Sequence, residues 1–172
     1  MILGLDLATH TGWAVASNDG KIISSGMQDF SKKRGEDNGL LFLRYRKWLK
    51  DLLQQHVFIP EQQTLVAYEA AHFRGGAATE LCVGMQTHTQ SMVAEMKAAG
   101  MDILIAPVRT GVLKKFATGS GAAGKEEMIA EARKWLDHEP ATDDEADAVM
   151  IARWASNEFY VLIEPTGRTR KP

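Results

Sequence analysis

Between Ile2 and Gln28 the apolar positions fall into three short runs, Ile2–Leu7, Gly12–Ala16 and Lys21–Gln28. Each is short and bounded by polar or turn residues, which predicts three strands, with Asn18-Asp19-Gly20 as a hairpin turn. The pattern then changes period. From Leu40 to His56 apolar residues recur at Leu41, Tyr45, Trp48, Leu49, Leu52 and Leu53, opposite Arg44, Lys47 and Lys50, the stripe of an amphipathic helix. Thr64–Tyr68 returns to a strand pattern. Thr79–Ala99 reads as a long helix closed by Gly100. Met101–Pro107 predicts a fifth strand, and Val108–Phe116 a helical turn leading into the glycine-rich stretch TGSGAAG. Lys125–Trp135 and Asp144–Phe159 predict two further helices.

The order β-β-β-α-β-α-β-α-α describes an α/β architecture: a mixed five-stranded sheet flanked by helices. An antiparallel start is followed by parallel strands joined through helices. The pattern resembles the ribonuclease H-like fold, in which the first and fourth strands lie side by side. A single domain over residues 1–160 is expected, followed by a short basic tail at 161–172. The four tryptophans, Trp13, Trp48, Trp135 and Trp154, fall on apolar stripes and are expected in the core. Met85, Met92 and Met96 are expected in the core or at an interface between subunits.

Composition narrows the class only slightly. The 172 residues are 45% hydrophobic and 24% charged, ordinary for one soluble domain. Cys82 is the single cysteine, so no internal disulfide forms, and its setting in ELCVGMQ reads as that of a small buried hydrophobe. No apolar run is long enough to span a bilayer, and MILGLDLA lacks the basic and apolar regions of a secretion signal. A cytoplasmic protein without membrane contact is expected. The net charge of −2 argues against a simple nucleic-acid binder. The basic residues are clustered, however: Lys32-Lys33-Arg34, Arg44 with Arg46 and Lys47, Arg109 with Lys114 and Lys115, and the tail TGRTRKP.

Acidic residues supply the chemistry. Asp6 follows the apolar run ILGL, Glu69 follows LVAY, and Asp143, Asp144 and Asp147 open the apolar helix TDDEADAVMIA. Carboxylates buried near one another are costly unless a cation neutralises them, and hard oxygen ligands suit Mg²⁺ or Mn²⁺. Asp144 and Asp147, three apart on a helix, share a face with roughly 5–6 Å between their Cβ atoms. Asp143 or Thr142 can serve as the helix N-cap. The constellation points to phosphodiester cleavage with two Mg²⁺ ions roughly 3.5–4 Å apart. Asp6 would bridge them, Glu69 and Asp147 would hold one each, and Asp144 would complete the set.

These residues carry a family resemblance. GLDLATHTGWAV, VAYEAAHF and DDEADAVMIA are similar to the acidic motifs of RuvC-like Holliday-junction resolvases. GMQTHTQSMVAEM and APVRTGVLKKFATGSGAAGKEEM resemble the family's central helix and basic loop. The resemblance implies a homodimer that nicks two strands of a four-way DNA junction symmetrically. It places Asp6, Glu69, Asp144 and Asp147 at the catalytic, metal-holding positions, and Lys114 and Lys125 at functionally important lysines. Lys125 would stabilise developing negative charge. A DNA-contacting set of His72, Phe73, Arg74, Arg109, Lys114, Lys115 and Lys125 follows. The family's junction-wedging aromatic position holds His72 here, with Phe73 next to it; either ring can stack on a base.

Other readings are weaker. GSGAAGKE approaches a phosphate-binding loop, but Glu126 stands where that loop needs a hydroxyl. An ATP-binding domain of the actin and sugar-kinase class would need a second domain and leaves Asp147 without a purpose. A ribonuclease H-like nuclease acting on RNA shares the acid set. A non-catalytic binding module does not need four intact acids.

Overall fold

The computed structural model describes residues 1–57, 62–71 and 76–163. Five strands appear in it: β1 (Ile2–Asp6), β2 (His10–Ala16), β3 (Ile22–Asp29), β4 (Thr64–Glu69) and β5 (Ile103–Val108). The helices are α1 (Asn38–Leu52), α2 (Ala77–Ala98), α3 (Thr110–Thr118), α4 (Lys125–Arg133) and α5 (Asp143–Ile163). Asp37 caps α1 by accepting from the Leu40 amide at 2.9 Å, and a π-helical turn over Leu53–Val57 follows the helix.

The strand order is β3-β2-β1-β4-β5. β1 runs antiparallel to β2, and β2 to β3, whereas β1–β4 and β4–β5 are parallel. The expected mixed sheet and the adjacency of the first and fourth strands are therefore both present. Parallel neighbours need covered crossovers, and α2 supplies the one between β4 and β5.

Both faces of the central strands β1 and β4 are buried, which is why they read as continuous apolar runs, whereas edge strand β3 is partly exposed. Ile2, Ala14, Ala16, Leu65, Ala67 and Ala106 face α5, α3 and α4. Leu3, Leu5, Val15, Val66, Tyr68 and Ile103 face α1 and α2, meeting Leu41, Tyr45, Leu49, Met85 and Met92. Helix α5 sits unusually close to the sheet. A Cβ on Gly4 would lie 2.5 Å from the Ala148 carbonyl oxygen, and one on Gly12 only 1.8 Å from that of Asp144. The glycines let helix backbone lie directly on strand backbone.

Several expectations need correction. The helical turn expected over Val108–Phe116 is a longer element: α3 is a nine-residue helix stopped by Gly119 at φ +83°, a left-handed backbone that favours glycine. The stretch before α4 is pinned by Lys114 Nζ donating to the Ala123 carbonyl at 2.6 Å. Trp135 lies beyond the end of α4 and is 44% exposed, with the Arg153 guanidinium 3.4 Å from its ring centre; it is a cation–π platform rather than core. Trp154 is buried, Trp13 and Trp48 partly so. Cys82 is only partly buried. Helix α5 extends to Ile163, and residues 164–172 of the tail lie outside the described residues. No described helix is long and apolar enough to cross a membrane.

Candidate active site

Strand alternation decides where the acids point. Ile2 and Gly4 face α5, so Asp6, two residues on, shares that face; Leu65 and Ala67 place Glu69 likewise. Leu5 pairs with Tyr68 in the parallel β1–β4 register, which sets Asp6 and Glu69 beside each other at the carboxyl ends of neighbouring strands. Asp6 also pairs with Gly12, the residue on which the Asp144 backbone rests. The close approach at Gly12 thus brings the first turn of α5 over Asp6.

That turn is held firmly. Thr142 is the N-cap: its Oγ1 accepts from the Glu145 amide at 3.1 Å. Glu145 is 2% exposed and accepts from Ser25 Oγ at 2.6 Å and from the Ala141 amide at 2.7 Å. Edge strand β3 is thereby tied to the start of α5. With Thr142 as cap, Asp143 and Asp144 are the first helical residues and Asp147 follows one turn after Asp144.

Electrostatics sort the acids into two kinds. Burial and then the charges of Asp147, Glu69, Asp144 and Asp143 push the Asp6 carboxyl well above the usual carboxylate range. Asp147 is pushed up to about 7, chiefly by burial and then by Glu69 and Asp143, with Lys114 opposing. Asp144 is raised by burial and by Asp143. Asp143 behaves oppositely: it pairs with Lys125, which lowers its pKa and raises that of Lys125. Asp6, Asp144 and Asp147 are thus all destabilised as carboxylates by their acidic neighbours, Asp143 among them, while Asp143 itself is held ionised by Lys125.

A cleft of about 350 Å³ opens beside Asp6 and Glu69, walled by Leu7, Ala70, Ala71, Ala78, Thr79, Cys82 and Thr110. Among the described residues no three His, Cys, Asp or Glu side chains close into a finished metal-ligand set. The donors nonetheless fit a hard divalent cation: all are carboxylate oxygens, and their mutual repulsion is what a cation removes.

The basic residues divide as well. Arg109 and Lys115 are exposed at the start and on the surface of α3, and Lys125 is exposed at the start of α4. Lys114 is partly buried, anchoring Ala123 while its charge reaches Asp147. His72, Phe73 and Arg74 lie outside the described residues. Sequence reasoning passed over Thr110, whose hydroxyl donates to Glu69 Oε1, and over Glu145. It also passed over the seating role of Gly4 and Gly12, signalled by glycines alternating with Asp6 opposite the run of alanines in α5.

No protein-family model and no curated protein matches the chain. Solved structures do. Thermus thermophilus RuvC aligns with a TM-score of 0.65 and 22% identity over 94% of this chain and 95% of that one. RuvC of the same organism in complex with a Holliday junction substrate aligns at 0.64 and 18% identity, covering 93% of each. This is the RuvC-like resolvase fold. The yeast mitochondrial Holliday junction resolvase Ydc2 shares it at 0.60 and 15% identity, over 94% of this chain and 82% of that one. Identities this low carry the fold and leave the activity to be argued from the site.

Proposed function

We propose that the chain is a divalent-metal-dependent endonuclease for branched DNA, with four-way junctions as preferred substrate, and that it works as a homodimer making paired nicks. The observation that carries this reading is the gathering of Asp6, Glu69, Asp144 and Asp147 where β1, β4 and α5 meet, on a RuvC-like fold.

Asp6, Glu69, Asp144 and Asp147 would hold Mg²⁺, with Mn²⁺ as substitute, and two ions are expected. When bound, such ions polarise a phosphodiester, lower the pKa of water and offset charge on the leaving oxygen. The chain's own residues do the rest. Strands β1 and β4 fix Asp6 and Glu69 through their ladders, and the capped start of α5 fixes Asp144 and Asp147. Lys125, 80% exposed along its side chain and paired with Asp143, can exchange that partner for a phosphate oxygen at the mouth of the site. Arg109 and Lys115 extend the positive rim on which a DNA backbone would rest. His72, Phe73 and Arg74, on the segment between β4 and α2, are proposed to reach the junction. Ala70, Ala71 and Ala78 give the cleft beside the carboxylates an apolar wall.

For the dimer, the outer surface shared by α1 and α2 is favoured by its exposed apolar side chains, Leu43 at 63% and Val83 at 45%.

The proposal is tested by incubating the protein and Mg²⁺ with a labelled four-way junction, a Y-fork, a linear duplex and an RNA–DNA hybrid. Symmetric nicks in the junction alone are expected. Equal cutting of the hybrid would instead favour a ribonuclease H-like activity, and equal cutting of all DNA forms would remove the junction preference.

A further inference from the structure

Glu69 has one more rotatable side-chain bond than the aspartates around it, so its carboxylate has the most freedom to lose on ligation. Its backbone is well fixed. Glu69 pairs with Val108 of β5, the Ala70 amide donates to the Val108 carbonyl at 2.7 Å, and Gln86 Nε2 donates to the Glu69 carbonyl at 3.1 Å. None of these contacts aims the carboxylate.

Thr110 does. It is the first residue of α3, following Arg109, an N-cap that makes no side-chain capping bond. The Thr110 hydroxyl reaches across to Glu69 Oε1, and both residues line the cleft that contains Asp6. Glu69 is thereby held at the N-terminus of a nine-residue helix. One hydroxyl occupies one carboxylate oxygen and leaves Oε2 available.

We propose that Thr110 is a positioning residue: its hydrogen bond to Oε1 turns Oε2 of Glu69 toward the divalent cation that Glu69 shares with Asp6. The inference rests on the reading of the acid cluster as a metal site. Outer partners that orient ligands in this way are typically worth about 10–100-fold in metal affinity.

The test is Mn²⁺ binding to the intact protein by calorimetry, together with the rise in melting temperature that Mn²⁺ produces, for the wild type, Thr110→Val and Thr110→Ser. Valine keeps the shape and removes the donor; serine keeps the donor. Thr110→Val should weaken Mn²⁺ binding about 10–100-fold with the metal-free melting temperature unchanged, while Thr110→Ser should stay close to wild type. Thr110→Ala, which removes the hydroxyl without adding bulk, replaces the valine variant if that one melts early without metal. Wild-type affinity in Thr110→Val, or equal weakening in Thr110→Ser, overturns the role of Thr110 and leaves the metal site standing. No Mn²⁺ binding by the wild type overturns both.

Discussion

Asp147, pushed up to about 7, keeps its proton in the metal-free fold over a range where an unfolded chain, with an aspartate pKa near 3.8, has released it. Between those two values the folded state binds more protons, so rising pH removes stability through this window and the loss persists above it. Solvent screening holds the penalty at pH 8 to the order of 1–2 kcal/mol. Urea unfolding in EDTA should therefore show Asp147→Asn gaining stability over wild type at pH 8 but not at pH 4; an equal difference at both pH values would contradict the assignment. The same protonation competes with cations, so apparent Mg²⁺ affinity should fall as pH drops below about 7. At this scale the sequence was readable where an acid ends an apolar run, as at Asp6 and Glu69. It was silent on Thr110, because a threonine's partner across two elements depends on register and helix placement that no local pattern encodes. It left Asp143 open, and the ion pair with Lys125 distinguishes that residue as the one acid of the α5 start held ionised by a cation of the chain, although its charge still raises Asp6, Asp144 and Asp147.

Among the elements, the seating of α5 matters most. Gly12→Ala would place a methyl 1.8 Å from the Asp144 carbonyl oxygen, contact that only movement of the helix start relieves. A cost of about 1–3 kcal/mol is expected from overpacking, measured by urea denaturation. The shift should also carry Asp144 and Asp147 away from Asp6, so metal-induced stabilisation should shrink even in protein that remains folded. Strands β1 and β4 and helices α2 and α5 were legible because their apolar runs are long or strictly periodic. Helix α3 was underestimated because only Leu113 of its nine residues is buried, which leaves little periodic signal. Trp135 was misplaced because its position continues the α4 stripe after α4 has ended at Arg133, and its partner Arg153 comes from α5, a helix remote in sequence that packs against α4.

For the molecule as a whole, an open sheet covered on both faces leaves one end, the carboxyl ends of β1, β4 and β5, for chemistry, as in other open α/β sheets. Paired nicking requires two such ends held at a fixed distance, and the exposed apolar positions on α1 and α2 are where a second copy is proposed to dock. Leu43→Glu combined with Val83→Glu should convert a dimer into a monomer by light scattering after gel filtration, without lowering the melting temperature of the fold, since both side chains are already exposed. A variant that remains dimeric would move the interface elsewhere. Element order made the architecture readable from the chain, whereas assembly and substrate depend on surfaces whose pattern is not periodic.

The most direct measurement is cleavage of a labelled four-way junction by wild type, Asp6→Asn and Asp147→Asn, in Mg²⁺ and in EDTA. The account predicts symmetric paired nicks by the wild type in Mg²⁺, none in EDTA, and a loss of roughly a hundredfold or more in each variant, since each removes a metal-holding carboxylate. Undiminished cleavage by either variant, or cleavage that survives EDTA, would contradict the claim that these carboxylates form a metal-dependent nuclease site.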